Sequence, residues 1–484
     1  MGSPNSPQYV WVPPDQVDER LDTRPFKPWV IERVQRCHSF KSGTVRLGDP
    51  GVCSLLSRGA GGGQESENNV AVLKAKEITG YGFAKPELFL SDCPAAKLLR
   101  PDDVVLTSSG IGTIGRADLI DDISLPPESP HTVDNHVTII RLKRGQLRPG
   151  YLAAFLNSAY GKAWSEWGTT GSTRLLELPP SMVRAFAIPR PDIKVQEHIA
   201  GQLRLAERCR AAASREHEKL GTELATLYEG CPYDALSSLT TIVAPAEIDD
   251  SRLDTWYHQR HFITLTEWLR RNPAFVELGK VASLSSDRWS PGAHGQSTFR
   301  YIEISNVDSM TGHVSHSEVP VENAPSRARK LLRGFDVLAS TVRPNRGAVG
   351  LVPDSLDGAV ATTGFAVVRA VSKTDAFFLL AVLRHPASTA QLMRCNTGSA
   401  YPAIEESVLP QIWIPGAKPG TRKSLGAREL RRTTLLQTAV DLVDQAKADV
   451  EALIEGTLDV QAILAGTLKP PTADDIPELA EDDA

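Results

Sequence analysis

The residues whose types and spacing best suit chemistry are Gly110-Ile111-Gly112-Thr113-Ile114-Gly115, a G-x-G-x-x-G run after the strand-like Asp103-Val104-Val105-Leu106. In a dinucleotide-binding fold this run turns tightly and presents a pyrophosphate to a helix N-terminus. Here Arg116 to Ile120 is short and breaks into Asp121-Asp122 and a proline-rich stretch, where that helix would have to start. The run reads better as a tight connection between two strands whose tip can approach a ligand. A nucleotide-binding enzyme using the Gly110–Gly115 turn stays open as an alternative.

Other chemistries find less support. A nuclease needs clustered carboxylates with a lysine to hold a metal and activate water. Asp192-Ile193-Lys194 is the nearest match, and its later counterpart Gly416-Ala417-Lys418 lacks the acid. A base methyltransferase needs a cofactor loop and a polar residue ahead of Pro-Pro-aromatic for the flipped base. The Pro-Pro pairs at 13–14, 126–127, 179–180 and 470–471 are followed by Asp, Glu, Ser and Thr. No Ser-His-Asp or Cys-His set stands out, and His258 and His261 suit surface or packing roles. Six cysteines lie singly with no C-x-x-C pair, which fits reduced thiols and gives no readable zinc site. Binding without catalysis is the expectation.

Basic side chains do gather locally. Arg327, Arg329, Lys330, Arg333, Arg343 and Arg346 face one acid, Asp336, and Arg141, Lys143, Arg144 and Arg148 form a shorter cluster. Both are candidate phosphate contacts, or solvated charged faces. The net charge of −5 hides them. Six acids between Asp474 and Asp483, with no Lys or Arg among them, leave residues 1 to 473 at +1. The segment 467–484 is expected to be an acidic, disordered tail.

The elements that position these residues come in two copies. Arg20-Leu21-Asp22 returns as Arg252-Leu253-Asp254, Asp103-Val104-Val105-Leu106 as Asp336-Val337-Leu338, Thr170-Gly171-Ser172 as Thr397-Gly398-Ser399, and Ile188-Pro189 as Ile414-Pro415. The offsets are 232, 233, 227 and 226, which indicates a duplicated unit of about 230 residues. A helical stretch, Gly150 to Trp164 or Ala376 to Leu392, sits within each copy, and a long one follows each. Leu436, Ala439, Val443, Ala446, Val450, Leu453, Thr457, Val460 and Leu464 alternate at spacings of three and four, a coiled-coil seam. Ile199, Leu203, Ala206, Ala213, Leu220, Leu224 and Leu227 keep a similar stripe, interrupted near Arg210 and His217. The helix from Ile193 to Glu229 would extend roughly 55 Å. The predicted order is a domain at 20–192, a helix at 193–231, a domain at 250–417 and a helix at 427–466. The fold class is α+β: two mixed α/β domains joined by two long antiparallel coiled-coil helices, an internal pseudo-two-fold repeat. No apolar run reaches membrane-spanning length and no signal peptide is visible, so a cytoplasmic protein is expected.

The assembled pattern resembles the specificity (S) subunit of type I restriction-modification systems. The likeness rests on Asp102 to Gly110 leading to Thr113-Ile114-Gly115, Asn135-His136-Val137, Tyr151-Leu152 to Leu156-Asn157-Ser158, and Thr170-Gly171-Ser172-Thr173 through Ile188-Pro189-Arg190-Pro191 to Gln196. In the second half Phe335-Asp336-Val337-Leu338, Thr397-Gly398-Ser399 and Ile412-Trp413-Ile414-Pro415 correspond. The resemblance implies two target recognition domains that each read half of a split double-stranded DNA sequence. It also implies partners: DNA methyltransferase (modification) subunits, two of them, that bind S-adenosylmethionine, and usually a restriction subunit that uses ATP. On that reading Ser109, Thr113, Arg116 and Arg174 in the first head and Arg343, Asn345 and Arg346 in the second neighbour the DNA. Thr170, Ser172, Thr397 and Ser399 suit structural turns. The second half departs from the pattern, with Arg343-Pro344-Asn345-Arg346 where the first has its glycine turn. A coiled-coil scaffold without nucleic acid is the remaining alternative.

Overall fold

The computed structural model describes residues 23–60, 65–84, 86–90, 93–123, 130–171, 176–234, 240, 242–248, 252–292, 295, 297–397 and 401–480. The chain divides into one unit of residues 1–211 with 438–484 and a second of residues 212–437. Both mix helices and strands, so the chain is α+β. Among the described residues no helix is long and apolar enough to cross a membrane.

In the first unit a four-stranded antiparallel sheet runs in the order Cys53–Arg58, Val137–Leu142, Asp103–Thr107, Ala117–Leu119. Asp103–Thr107 is buried along its whole length. Period-two alternation divides its apolar side chains between two cores. Val104, Leu106 and Ile140 pack with helix residues such as Tyr151 and Phe155. Val105, Ile139 and Val137 pack with Leu73, Ile78 and Val133, which belong to or flank a three-stranded sheet of Leu88–Leu90, Glu65–Leu73 and His131–Val133.

The second unit has a four-stranded sheet ordered Ala282–Leu284, Phe365–Ala370, Val337–Ser340, Val349–Leu351. Val337 and Ala339 face one core with Phe378 and Leu380, and Leu338 faces another with Ile302 and Val352. A second sheet, Ser317–Pro320, Thr298–Ile302, Val360–Thr362 and Ala328–Leu331, contains one parallel pairing, Tyr301 opposite Val360. Each unit also closes a short antiparallel pair on its Ile-Pro strand: Thr44–Arg46 with Ala187–Pro189, and Phe275–Glu277 with Trp413–Pro415.

A buried ion pair locks each central sheet. The Arg141 Nε and Nη2 groups donate to the two Asp103 carboxylate oxygens at 2.7 Å each, and Asp103 sits directly opposite Arg141 in the ladder. Arg369 holds Asp336 in the same two-pronged way at 2.8 and 2.7 Å. Both aspartates are buried, and each also accepts a backbone N–H from three residues before it, Arg100 or Arg333, at 2.9 Å. The residue ahead of each aspartate, Asp102 or Phe335, has positive φ, which turns the chain into the strand.

The helical stretches expected as single elements are each broken in two. Pro149–Asn157 stops at Ser158, whose extended backbone and hydroxyl cap the helix Ala159–Gly168 by accepting the Gly161 N–H. A Cβ at Gly161 would lie 2.2 Å from the Phe155 carbonyl, so this reversal requires glycine. In the second unit Lys373–Arg384 ends at His385 and Pro386 starts Pro386–Arg394.

The first long helix spans Ile193–Leu227. The second spans Pro419–Glu455, starting and ending earlier than the expected 427–466. Gly456, with φ of +80°, ends it, and Asp459 caps a separate helix Val460–Ala465. Leu435, not Leu436, is fully buried in the seam, followed by Ala439, Val443, Ala446, Val450 and Leu453. Within the first unit Gln202 donates to Asp449 at 2.6 Å. Within the second, Arg428 pairs with Glu216 and Glu223, and Arg431 pairs with Glu216. In each unit later residues of one helix meet earlier residues of the other, so the paired segments run antiparallel.

The segment 467–480 differs from the expected disordered tail. It carries a turn at Ala473–Asp475 and the short helix Pro477–Ala480, with Ile476 and Leu479 buried. These two apolar residues, three apart, anchor it despite the surrounding acids. Residues 481–484 lie outside the described residues.

Candidate functional site

Each unit presents one loop at the end of its central strand. In the first unit residues 108–116 connect Asp103–Thr107 to Ala117–Leu119, an antiparallel neighbour. No helix follows the glycine run, so the geometry that a dinucleotide phosphate requires is missing here. Gly110, Gly112 and Gly115 all have positive φ, and the turn needs glycine for that reason. The loop is wired inward: the Arg116 N–H donates to Thr107 Oγ1 at 3.0 Å and the Thr113 hydroxyl donates to the Ser109 carbonyl at 2.9 Å. The Arg116 guanidinium donates back to the Gly112 carbonyl at 2.8 Å. Thr113 and Arg116 thus shape the turn. Ser109 Oγ lies 2.6 Å from Nδ1 of His136, an exposed residue at the head of the next strand. Ile111 at the tip is 65% exposed.

A second segment borders this loop. Ser109 and Thr170 both form β-bridges to Glu177, and Thr170 exchanges backbone hydrogen bonds with Glu177 at 2.7 and 2.9 Å. Arg58 reaches under both segments, donating to the carbonyls of Asn135, Ser108 and Leu178, and burial pulls its pKa below the usual arginine value. Ser172 and Arg174, expected near the same place, lie outside the described residues.

In the second unit residues 341–348 connect Val337–Ser340 to Val349–Leu351. Arg343 adopts the left-handed region with φ of +51°, and Gly347 follows at +67°. Pro344–Arg346 makes a single 3-10 turn with Asn345 and Arg346 exposed. A bordering segment is again bridged to the loop, Val342 to Ala403, and the Thr397 N–H donates to the Ala403 carbonyl at 2.9 Å. The Arg343 N–H donates to the Pro402 carbonyl at 2.6 Å, and its guanidinium carbon lies 4.5 Å from the Tyr401 ring centre. Ser399 lies outside the described residues. Loop and border thus bring Arg343, Asn345, Arg346 and Thr397 to one edge of this unit, as Ser109, Thr113, Arg116 and Thr170 are gathered in the first. Arg58 and Tyr401 were not singled out from sequence, and His136 entered only within the Asn135-His136-Val137 motif. Position alone could have flagged His136 and Tyr401: one follows Asn135 at a strand start, the other follows Thr397-Gly398-Ser399.

The basic clusters shrink once partners are assigned. Lys330 is buried and pairs with Glu406 at 2.5 Å, and Arg333 pairs with Asp287 at 2.9 Å. Arg141 is committed to Asp103, Lys143 to the Pro50 carbonyl and Arg148 to Glu197. Lys330 and Arg141 fix the fold, because a largely desolvated cation is held by its partner, and the more exposed Lys143, Arg148 and Arg333 make weaker surface contacts. Asp192 accepts the Lys194 N–H at 2.8 Å at the start of the long helix, a cap and not a metal ligand. Among the described residues no three His, Cys, Asp or Glu side chains gather to hold a metal. His258 Nδ1 lies 3.1 Å from the Asp254 carbonyl, and burial lowers the pKa of His261, in keeping with packing roles.

No family model matches the chain, and no curated protein matches it. Solved structures do. One is the S subunit of a type I restriction-modification system from M. genitalium, with 11% identity and a TM-score of 0.45, covering 86% of this chain and 95% of that one. A second is the HsdS subunit from Thermoanaerobacter tengcongensis, with 16% identity and a TM-score of 0.28, covering 86% and 97%. A third belongs to a study of complex assembly and conformational transition in the type I restriction-modification system, with 16% identity, a TM-score of 0.29 and coverage of 86% and 98%. The chain is similar to these proteins over most of its length.

Proposed function

We propose that the chain is a non-catalytic DNA-recognition protein that reads a bipartite duplex, one half-site per unit, as the specificity subunit of a type I-like restriction-modification complex. One observation carries the reading. Both units place the same kind of strand-to-strand loop, bridged to a segment that starts near a Thr-Gly-Ser motif, at the end of a strand held by a two-pronged Arg–Asp pair. The matching strand orders support an internal duplication, and a duplicated reader suits a target in two halves. The two long helices that run from one unit into the other are the coiled-coil linkers on this reading, and they set the gap between half-sites.

The chemistry follows from the loops. Exposed basic and amide side chains such as Arg346 and Asn345 contact phosphates and base edges, and the hydroxyl and imidazole of Ser109 and His136 offer both donor and acceptor capacity. Catalysis belongs to partners. Two modification subunits supply S-adenosylmethionine and methylate adenine after flipping it, and a restriction subunit supplies ATP-dependent action.

Selection of the full-length chain, with and without its methyltransferase partner, against a randomised duplex library tests the reading. Two short sequence blocks separated by a fixed gap should be enriched. Ser109→Ala with His136→Ala should alter one block only, and Asn345→Ala with Arg346→Ala the other only. Changes spread over both blocks, or no enrichment by any folded form, would overturn it.

A further inference from the structure

The second loop contains a conformation that its sequence does not favour. Among the described residues Arg343 is one of three non-glycine residues with positive φ, and the other two, Asp102 and Phe335, serve the strand entrances. The equivalent loop of the first unit reaches such angles only at Gly110, Gly112 and Gly115. A Cβ makes this region costly, and a strained residue persists where its surroundings over-determine it. The surroundings are Tyr401 and Pro402, the ring lying 4.5 Å from the guanidinium carbon and the carbonyl accepting the Arg343 N–H at 2.6 Å.

The partner ring is equally unusual. Tyr401 is 65% exposed, where a large aromatic side chain would ordinarily be covered. Stacking engages the flat face of a guanidinium and leaves its in-plane N–H groups available. Among the described residues, no acceptor or carboxylate takes up the Arg343 guanidinium, in contrast to Arg141, Arg333 and Arg369. A planar donor fork is held open at a loop tip beside exposed Asn345 and Arg346.

We infer that Arg343 is a specificity-determining residue that reads guanine in the half-site of the second unit, and that Tyr401 is the positioning residue that holds its guanidinium for the purpose. The inference rests on the DNA-recognition reading above. Guanine presents two acceptors, N7 and O6, at the spacing of an arginine fork in the major groove, and adenine presents one acceptor and one donor. A guanidinium fixed in plane before encounter loses less freedom on binding than a mobile one. The same fork also fits a phosphate, but a phosphate contact would not distinguish one base from another.

The test is the base preference of the full-length chain, with its methyltransferase partner if selection requires it, on duplex libraries. Arg343→Lys keeps the charge and loses the fork. It should cut the preference for guanine at one position by at least about tenfold, in line with a lost bidentate contact, and leave affinity for random-sequence duplex within about threefold. Tyr401→Phe keeps the stack and should behave as the parent. Tyr401→Ala should weaken the same guanine preference and leave the other half-site unchanged. Arg343→Gly relieves the left-handed strain, so its folding is secure, and it should lose the preference entirely. Equal loss at every position, or an unchanged guanine preference in Arg343→Lys, would reduce Arg343 to a phosphate contact. Unchanged behaviour of Tyr401→Ala would remove the positioning role. Failure of the parent chain to select any sequence would instead overturn the DNA-recognition reading, a result distinguishable because it affects all variants alike.

Discussion

At the residue scale, two aspartates carry more structure than the glycine run that first attracts notice. Asp103 and Asp336 each accept two N–H groups from an arginine on the neighbouring strand and one from the preceding backbone, and both aspartates are buried. Removing one partner strands the other charge in the interior. Asp336→Ala should therefore destabilise by about 3–5 kcal/mol, and Arg369→Lys by less, since the charge survives without the fork. Denaturant unfolding with unchanged midpoints would show that Asp287, the second acid on Arg369, suffices alone. Arg141 was legible only as charge and Arg369 was not singled out, because their acids lie 38 and 33 residues away and register alone brings them together. Glu207 is another buried acid. Burial pushes its carboxyl up to about 7 against the pull of Arg210, and neighbouring Asp118 is likewise raised by burial. The folded chain holds this proton more tightly than the unfolded one, whose glutamates titrate near about 4.3. Its contribution to stability is thus complete below about pH 4.3 and is lost as pH rises through about 7. Glu207→Gln should show a smaller fall in melting temperature between about pH 5 and about pH 8 than the parent. Parallel curves would mean that Arg210 already keeps the carboxyl charged.

At the scale of elements, the strands were readable and several helix limits were not. Runs such as Asp103-Val104-Val105-Leu106 and Phe365 to Val368 are apolar on both faces because each lies between two cores, and that pattern survives in one sequence. The second long helix was expected from 427, and its true start at Pro419 was missed because Pro419-Gly420 reads as a loop, although proline is favoured in a first helical turn. The break at Ser158 was missed for a different reason. Ser158 and Gly161 are each tolerated within a helix, and the close approach of Gly161 to the Phe155 carbonyl shows only once the two helices are folded against each other. Gly161→Ala should therefore destabilise the first unit by about 1–3 kcal/mol as an overpacked site. An unchanged midpoint would show that the two helices can part without loss. The loops of the candidate site were placed correctly between strands, but their partners His136 and Tyr401 come from other segments, and only their places beside Asn135 and the Thr-Gly-Ser motif hinted at them.

For the molecule as a whole, the long helices are the elements that pass from one unit into the other. Within each unit their segments pair antiparallel through contacts such as Gln202 with Asp449 and Arg428 with Glu223. If they set the gap between two half-sites, their length is a functional quantity. Removing four residues from each helix at matching turns shortens it by about 6 Å at 1.5 Å per residue, close to two base pairs of axial distance. Four residues are also nearly one full turn, so the apolar stripe of Ile199 and Leu203, which shares a core with Ala446 and Val450, keeps its facing. The shortened chain should select the same two sequence blocks with a gap reduced by about two base pairs. A change in the blocks themselves would mean that the deletion disturbed the heads. The same blocks at the original gap would mean that something other than helix length measures the distance, and the linker role would then fall to the partner subunits.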